Sequence, residues 1–414
     1  MIPRKRLDIS WADMVSGIGY CLRSPNREKV EQRIERLWSE KGFILPCLSV
    51  RSGFDALLQA LNFEPGTEIL VSAITIRGMT RIIEAHGLVA VPIDIDSNHL
   101  MVRPESMAQA VTPRTRAILV AHLFGSYMPM ERILQFAKVH NLLVIEDCAQ
   151  AYVGNEYRGH PQSDVSLFSF GPIKTATALA GGILQFRDAS LCHTTRLCQE
   201  QWPIQSRWRF LIRILKYSIL IFLSYRLTYS IFLALCSAFK LNHDRLISQS
   251  VRGFSGDNFL RQIRQRPSSA LLSLVERRIR KFDPDRIVER ARLAEYLIKL
   301  TPALQRPGSQ AIKHTHWVFP ILCDSPEKLM HYLWSQGFDA TQGGSSLSVV
   351  EPPAHRPEMN PVEAKEFFEQ LIYLPVYIGM SSQDIERLAC VLNECDILRC
   401  DVNAAFVDDS AIAK

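Results

Sequence analysis

The chain has 414 residues, of which 47% are hydrophobic and 22% charged, a globular composition that excludes the disordered and collagen-like classes. A formal net charge of +6 is too small to point to nucleic acid by itself. The ten cysteines are scattered without a CxxC pair, which argues against a zinc site and a secreted disulfide scaffold and makes a reducing cytoplasm the expected location. The start, MIPRKRLDISWADM, is basic with no apolar run after it, so no signal peptide is expected.

Residues 27–42 read as a helix with Val30, Ile34 and Leu37 on one face and Gly42 as its stop. A short apolar run follows, then a turn at Arg51–Ser52–Gly53 and a helix from about Asp55. From there the chain alternates. Strands are expected at 67–73, 89–96, 116–125 and 142–151, with helices at 78–87, 104–112 and 130–141 between them. Two further strands are expected at 165–170 and 181–186. The strands are continuous apolar runs, the pattern of a mostly parallel sheet covered by helices on both faces. After residues 187–283 break the rhythm, a helix at 284–300, a strand at 316–323, helices at 326–337 and 382–398 and a Pro-rich loop at 351–361 suggest a smaller C-terminal lobe. The expected division is 1–250 for a large domain and 251–414 for a small one.

An α/β sheet presents ligands at the carboxyl ends of its strands. Asp147, Ser169 and Lys174 fall at or just past such ends. An acid, a hydroxyl and a lysine there could hold an anionic, nitrogen-containing cofactor, the acid keeping a pyridine nitrogen protonated and the lysine forming a Schiff base once deprotonated. Taken singly, each has a plainer reading as a cap, a turn residue or a solvated surface group.

The segment EDCAQAYVGNEYRG, followed by SDVSLFSFGPIKTATALAGG, resembles the DegT/DnrJ/EryC1/StrS sugar aminotransferase family. RSGFDALLQAL, PGTEILVSAITIRGMTRIIEAHGLVAVPIDID, VTPRTRA and LPVYIGMSSQDIERL resemble further family motifs in the same order. The likeness is close over about 45–190 and looser over 257–398. It implies an aspartate-aminotransferase-like (fold type I) α/β large domain with a smaller α+β C-terminal domain, pyridoxal 5'-phosphate as cofactor, and a homodimer with shared active sites. By position it implies that Lys174 holds the cofactor and shuttles a proton, that Asp147 pairs with the pyridinium nitrogen, and that Gln150 contacts the phenolic oxygen. Ser169 and the backbone N–H groups of Gly53 and Phe54 would hold the phosphate.

The sequence departs from the family at several of these places. Phe54 stands where the family has Thr, and Ser52 is a substitute hydroxyl. Ile76 replaces the aromatic residue that stacks on the ring. Arg77 beside it could face an anionic substrate or lie on the surface. Arg264 occupies the position of an Asn that reaches the partner's phosphate, with Arg266 retained. Lys174 itself separates this chain from family members that dehydrate sugars, which carry His there.

Between Glu200 and Asp244 there is no acidic residue, while Arg207, Arg209, Arg213, Lys216, Arg226 and Lys240 supply a charge of +6. The uncharged runs Tyr217–Tyr225 and Leu227–Phe239 are nine and thirteen residues, short of the ~20 that a spanning helix needs. Residues 207–241 therefore have three readings: amphipathic helices on an anionic membrane surface, a hairpin buried in an oligomer interface, or a membrane span. The expected activity is transfer of an amino group, from glutamate by the resemblance, to a keto group of a nucleotide sugar or related polyol. The alternatives are an amphiphilic or lipid-linked acceptor, or a catalytically weak regulatory homologue. A metal is not expected.

Overall fold

The computed structural model describes residues 1–39, 43–244, 246–247, 258–343 and 346–398. Gly42 and the junction at 250/251 lie outside them. The helices are α1 (Trp11–Arg23), α2 (Arg27–Trp38), α3 (Val50–Leu61), α4 (Arg77–Ala85), α5 (Pro104–Ala110), α6 (Glu131–His140), α7 (Ala189–Glu200), α8 (Arg207–Leu223) and α9 (Arg226–Ala238). They continue with α10 (Phe259–Ile263), α11 (Ser269–Arg280), α12 (Asp285–Leu300), α13 (Pro326–Ser335), α14 (Val362–Glu369) and α15 (Ser382–Asn393). The strands are β1 (Ile44–Cys47), β2 (Glu68–Ser72), β3 (Ile74–Ile76), β4 (Val89–Ile93), β5 (Ile95–Asp96), β6 (Met101–Val102), β7 (Thr115–Ala121), β8 (Leu143–Asp147), β9 (Val165–Ser169) and β10 (Gly182–Phe186). Three short ones follow: β11 (Phe319–Leu322), β12 (Leu347–Val349) and β13 (Leu371–Leu374).

Seven strands form the central sheet in the order β1-β10-β9-β8-β7-β2-β4. The pairs from β9 through β4 are parallel, and β10 alone runs against both its neighbours. This is the mostly parallel sheet that the apolar strand runs imply, in keeping with the aspartate-aminotransferase-like class that the family resemblance implies. The strands are largely buried because core clusters cover both faces of the sheet, with Arg116 of β7 exposed. Crossover helices bring every parallel strand's carboxyl end to the same edge, where Asp147 and Ser169 terminate β8 and β9.

The smaller α+β part is built on the antiparallel pair β11–β13. Its core draws Leu293, Leu297, Phe319, Ile321, Leu333 and Leu388 together with Ile2 from the chain's start. The helix α11 instead buries Ala270, Leu271, Leu274 and Val275 in the first core, among Met14, Val30 and Phe170. A second tie is β12, which pairs antiparallel with β3 so that Leu347 faces Ile76.

Helices α8 and α9 form one bent pair, inclined by 94° at the break around Ser224–Tyr225. Among the described residues no single helix is long and apolar enough to cross a membrane. Phe210, Ile214, Tyr217 and Ile221 lie on one face of α8 and are buried in the first core, against α1 and α11. Trp208, Ile212, Leu215, Ile219 and Phe222 lie on another and are exposed. Ridge spacing of three and four residues produces both stripes.

Candidate functional site

A cavity of about 540 Å³ opens at the carboxyl ends of β8 and β9. That volume suits a small-molecule or cofactor site. Asp147, Gln150, Ser169, Lys174 and Ile76 all line it, joined by the first turn of α3, one face of α8, and Trp317.

Lys174 lies in the turn after β9, its backbone N–H donating to Gly171 O. Its Nζ sits 4.3 Å from the centroid of the Trp317 ring. Burial lowers its pKa to about 8, with Asp147 opposing the fall and Arg51 adding to it. A tenth of the molecules therefore carry the free amine at about one pH unit below that value. Asp147 is buried, and burial pushes its carboxyl above the usual range, against the pull of the Ala149 N–H, Lys174 and His122. Its Oδ1 accepts from the Ala149 N–H at 2.9 Å.

The residue before it, Glu146, is turned the other way, into the protein. Its carboxylate accepts from His122 Nε2 at 2.8 Å, Ser163 Oγ at 2.8 Å and the His160 N–H at 2.8 Å, and from the Tyr157 hydroxyl. Burial would raise its pKa, but these partners, led by His122, hold it down to about 2. His122 Nδ1 accepts the Met128 N–H at 3.0 Å, which assigns the ring proton to Nε2. With Cys148 these two residues are within metal-binding range of one another. Both His122 nitrogens and the Glu146 oxygens are nevertheless engaged in hydrogen bonds, so the group acts as a support beneath Asp147.

Gln150 is held by its Oε1, which accepts the Phe124 N–H at 2.8 Å, leaving the amide nitrogen as the group to offer a ligand. Ser169 Oγ accepts the Gly171 N–H at 3.3 Å. Ile76 is half-buried at the wall, whereas Arg77 is exposed and does not line the cavity.

The start of α3 differs from the sequence expectation. Ser49 is the N-cap, and its Oγ accepts the Ser52 N–H at 3.2 Å, so the helix begins at Val50 rather than near Asp55. The Gly53 N–H is already spent on Ser49 O at 3.1 Å, and Gly53 and Phe54 do not line the cavity. Phe54 is fully buried in the core beside Leu57 and Leu184. Gly53 serves close packing: a Cβ there would sit 2.2 Å from Leu184 Cδ1 and 2.9 Å from Cys47 Sγ. Ser52 is also wholly buried, its hydroxyl 3.0 Å from that of Ser49. The residues of this turn that do line the cavity are Ser49, Val50 and Arg51, at the positive end of the helix.

Arg264, expected to reach a partner's site rather than this one, is held by Asp55 within the chain. Its guanidinium makes two hydrogen bonds to Asp55, at 2.8 and 3.0 Å, and it does not line the cavity. Asp55 needs that partner because it is buried, with His86 on its other side.

Four cations that the motif reading missed do line the site: Arg51 from α3 and Arg209, Arg213 and Lys216 from α8. Burial lowers Arg51 to about 10, with Arg213 contributing. Against these and Lys174 the lining offers one carboxylate, Asp147. The signal was in the sequence: 209, 213 and 216 follow the four-three spacing of one helix face. Of these, Arg213 is half-buried while Arg209 and Lys216 line the rim and stay exposed, and Arg226 is taken by an ion pair with Asp384.

Comparison with known proteins bears on the same region. A GDP-perosamine synthase from Escherichia coli O157:H7 is 33% identical over 166 residues, 39% of this chain and 45% of that protein. The erythromycin biosynthesis sensory transduction protein EryC1 from Saccharopolyspora erythraea is 35% identical over 190 residues, 44% of this chain and 50% of that one. The chain thus spans about half the length of these curated relatives. Among solved structures, NtdA from Bacillus subtilis with bound cofactor PMP superposes with a TM-score of 0.67 at 17% identity, covering 96% of this chain and 87% of that one. At that identity the likeness establishes the fold. Residues 16–209, the segment that holds the central sheet, Asp147 and Lys174, match the model of the DegT/DnrJ/EryC1/StrS aminotransferase family.

Proposed function

We propose that this chain is a pyridoxal-phosphate-dependent aminotransferase that moves an amino group from glutamate to a keto group on a nucleotide sugar or related polyol. The observation that carries the reading is Lys174, a buried lysine with its pKa lowered to about 8, in one cavity with the buried carboxylate of Asp147. A relative that is a GDP-perosamine synthase supports the nucleotide-sugar acceptor, and NtdA with PMP supports the cofactor.

The residues present fit that cofactor. A buried carboxylate with a single backbone donor on Oδ1 matches a cationic ring N–H, and a helix N-terminus with Arg51 and Ser169 matches a phosphate. When bound, pyridoxal phosphate supplies a reactive aldehyde and a ring that accepts electrons. Lys174 would hold it through Nζ and, once freed by the donor's amine, carry the proton lost from the donor's Cα. Asp147 would keep the ring nitrogen protonated. The Gln150 amide would donate to the phenolic oxygen. Ile76 and Trp317 would exclude water from the two sides they wall.

Glutamate added to the holoenzyme should convert its visible absorption to that of the amine form, and an acceptor ketone should restore it. Lys174→Ala should lose the band and about 10²- to 10⁴-fold of turnover. A wild-type protein that stays colourless after reconstitution would overturn the assignment and favour a regulatory homologue.

A homodimer and a peripheral membrane contact through 207–241 belong to the same proposal. Both draw on the apolar stripes left uncovered on α8 and on α9, where Leu227, Ile231 and Leu235 are exposed. Light scattering should give twice the 47.1 kDa of the chain. Co-sedimentation with anionic liposomes should be lost in Leu215→Glu/Ile219→Glu, whose residues do not line the cavity, while the mass stays dimeric. Loss of the dimer instead would assign the stripe to the subunit interface.

A further inference from the structure

Lys174 faces two cavities. Beyond the one described, a second of about 410 Å³ shares with it Ile173, Lys174 and Trp317. Its walls are the chain's start, residues 3–8, the inner sides of α8 and α9, and the region around β13. Its apolar lining includes Leu220, Leu223 and Phe232 from α8 and α9. The end at Lys174 and Trp317 is cationic, where Lys5 reaches Ile173 O.

The cationic end is underpaired. Arg290 is 7% exposed, donates from Nε to Thr315 O and from Nη1 to Thr175 Oγ1, and its buried Nη2 has no hydrogen-bond partner among the described residues. Lys5 donates from Nζ to Ile173 O at 3.0 Å and lies 4.2 Å from the Trp317 ring centroid, the ring that Lys174 also approaches. Arg6 Nε is a second buried donor without a partner. The nearby acid, Asp8, is already engaged by Arg286 and the Ala176 N–H, and Arg4 is held by Asp339 and Asp244. Burying an arginine donor without an acceptor costs free energy that an anionic ligand would return. Burial, Arg290 and Lys174 push the Lys5 amine well below its usual range, and burial lowers Arg290 to about 10, shifts that a bound anion would oppose.

We infer that this second cavity binds an anionic amphiphile, with its phosphate or carboxylate group at Lys5 and Arg290 and its hydrocarbon portion along Leu220, Leu223 and Phe232. The apolar wall rules against a wholly polar occupant, since such a ligand would leave its own polar groups unpaired there. Because both cavities meet at Lys174, the inference narrows the acceptor to a ketone carrying an anionic group and an apolar substituent. In that respect it rests on the aminotransfer reading above. It also gives the insert a role at the site: the same helix α8 supplies cations to the first cavity and apolar wall to the second.

The test is calorimetric titration of the full chain with octyl phosphate below its micelle concentration. Inorganic phosphate and octyl glucoside serve as head-only and tail-only probes, and octanoate separates carboxylate from phosphate. Octyl phosphate or octanoate should bind at least tenfold more tightly than either partial probe. Lys5→Gln and Leu223→Asp should each weaken that binding at least tenfold, with unchanged melting temperature. Arg290→Gln should do the same, and because Arg290 also holds Thr315, Lys5→Gln decides if that variant fails to fold. Inorganic phosphate binding as tightly as octyl phosphate would overturn the amphiphile. Affinity unchanged in Lys5→Gln and Leu223→Asp would place the ligand on the outer stripe of α8 and overturn the site. A protein that shows the cofactor band but ignores these probes sinks this inference alone, and a colourless protein that binds them sinks the aminotransferase reading alone.

Discussion

The burial of Lys174 lowers the pKa of its amine, and that shift has a measurable sign. A buried lysine is destabilised in its charged form, so its free amine is populated at lower pH than in water. With a pKa of about 8, the neutral fraction rises about tenfold between pH 7 and pH 9. The rate at which apo-protein condenses with added pyridoxal phosphate should follow that rise, measured by stopped-flow absorbance. A rate flat across that range would show that Lys174 is not desolvated. The same shift bears on stability. The folded-state value lies below the ordinary lysine value of 10.5, so the unfolded chain binds more protons between about 8 and 10.5, and this group's contribution rises with pH across that window. Lys174, Asp147, Gln150 and Ser169 were legible in the sequence because they sit at fixed offsets from strand ends. Arg51 and Trp317 were not, because nothing local marks a turn arginine or a tryptophan 143 positions away as neighbours of that lysine.

At the scale of elements, the start of α3 shows how a motif can be right and its register wrong. The eye stops at Gly53, but the helix is nucleated by Ser49, whose hydroxyl satisfies a first-turn N–H. Ser49→Ala should cost about 1 kcal/mol of stability by urea denaturation. It should also weaken pyridoxal phosphate binding, because Ser49 lines the cavity with Val50 and Arg51 of the turn that it caps. A variant with full cofactor affinity would remove the α3 terminus from the phosphate site. The helix α8 teaches the complementary lesson. Its period is readable, but three separate faces, cationic at 209, 213 and 216, buried at 210, 214 and 217, and exposed at 212, 215 and 219, blur into one apolar, basic segment when read linearly. Only the position of α1 and α11 against it tells which apolar face is core.

Over the whole molecule, the chain's start, the insert and the C-terminal lobe converge on one buried carboxylate. Asp339 is fully buried and accepts Arg4 Nε at 2.7 Å and Nη2 at 2.9 Å, together with the Tyr229 hydroxyl from α9. Burial would raise its pKa, but Arg4, His243 and Tyr229 keep it below the usual carboxylate value. Its contribution is therefore present above about 4 and lost as pH falls through the lower folded-state value. Arg4→Ala strands that charge and should cost about 3–5 kcal/mol, read as a lowered melting midpoint at pH 7. A loss below 1 kcal/mol would mean that the start of the chain is not a structural tie. Since residues 3–8 also wall the second cavity, the same variant links the stability of the fold to the shape of the site.

By itself the sequence determined the sheet and its order of motifs. Continuous apolar runs separated by amphipathic helices have few ways to bury both faces, and parallel crossovers put Asp147 and Ser169 at one edge. Tertiary structure alone decided which residues stand around Lys174. Arg264 is paired with Asp55, Phe54 is core, and Arg213 reaches the cavity from 39 residues down the chain. Such contacts are set by packing between elements distant in sequence, and a buried charge is decided by whichever counter-charge the fold brings within reach, which no local pattern records.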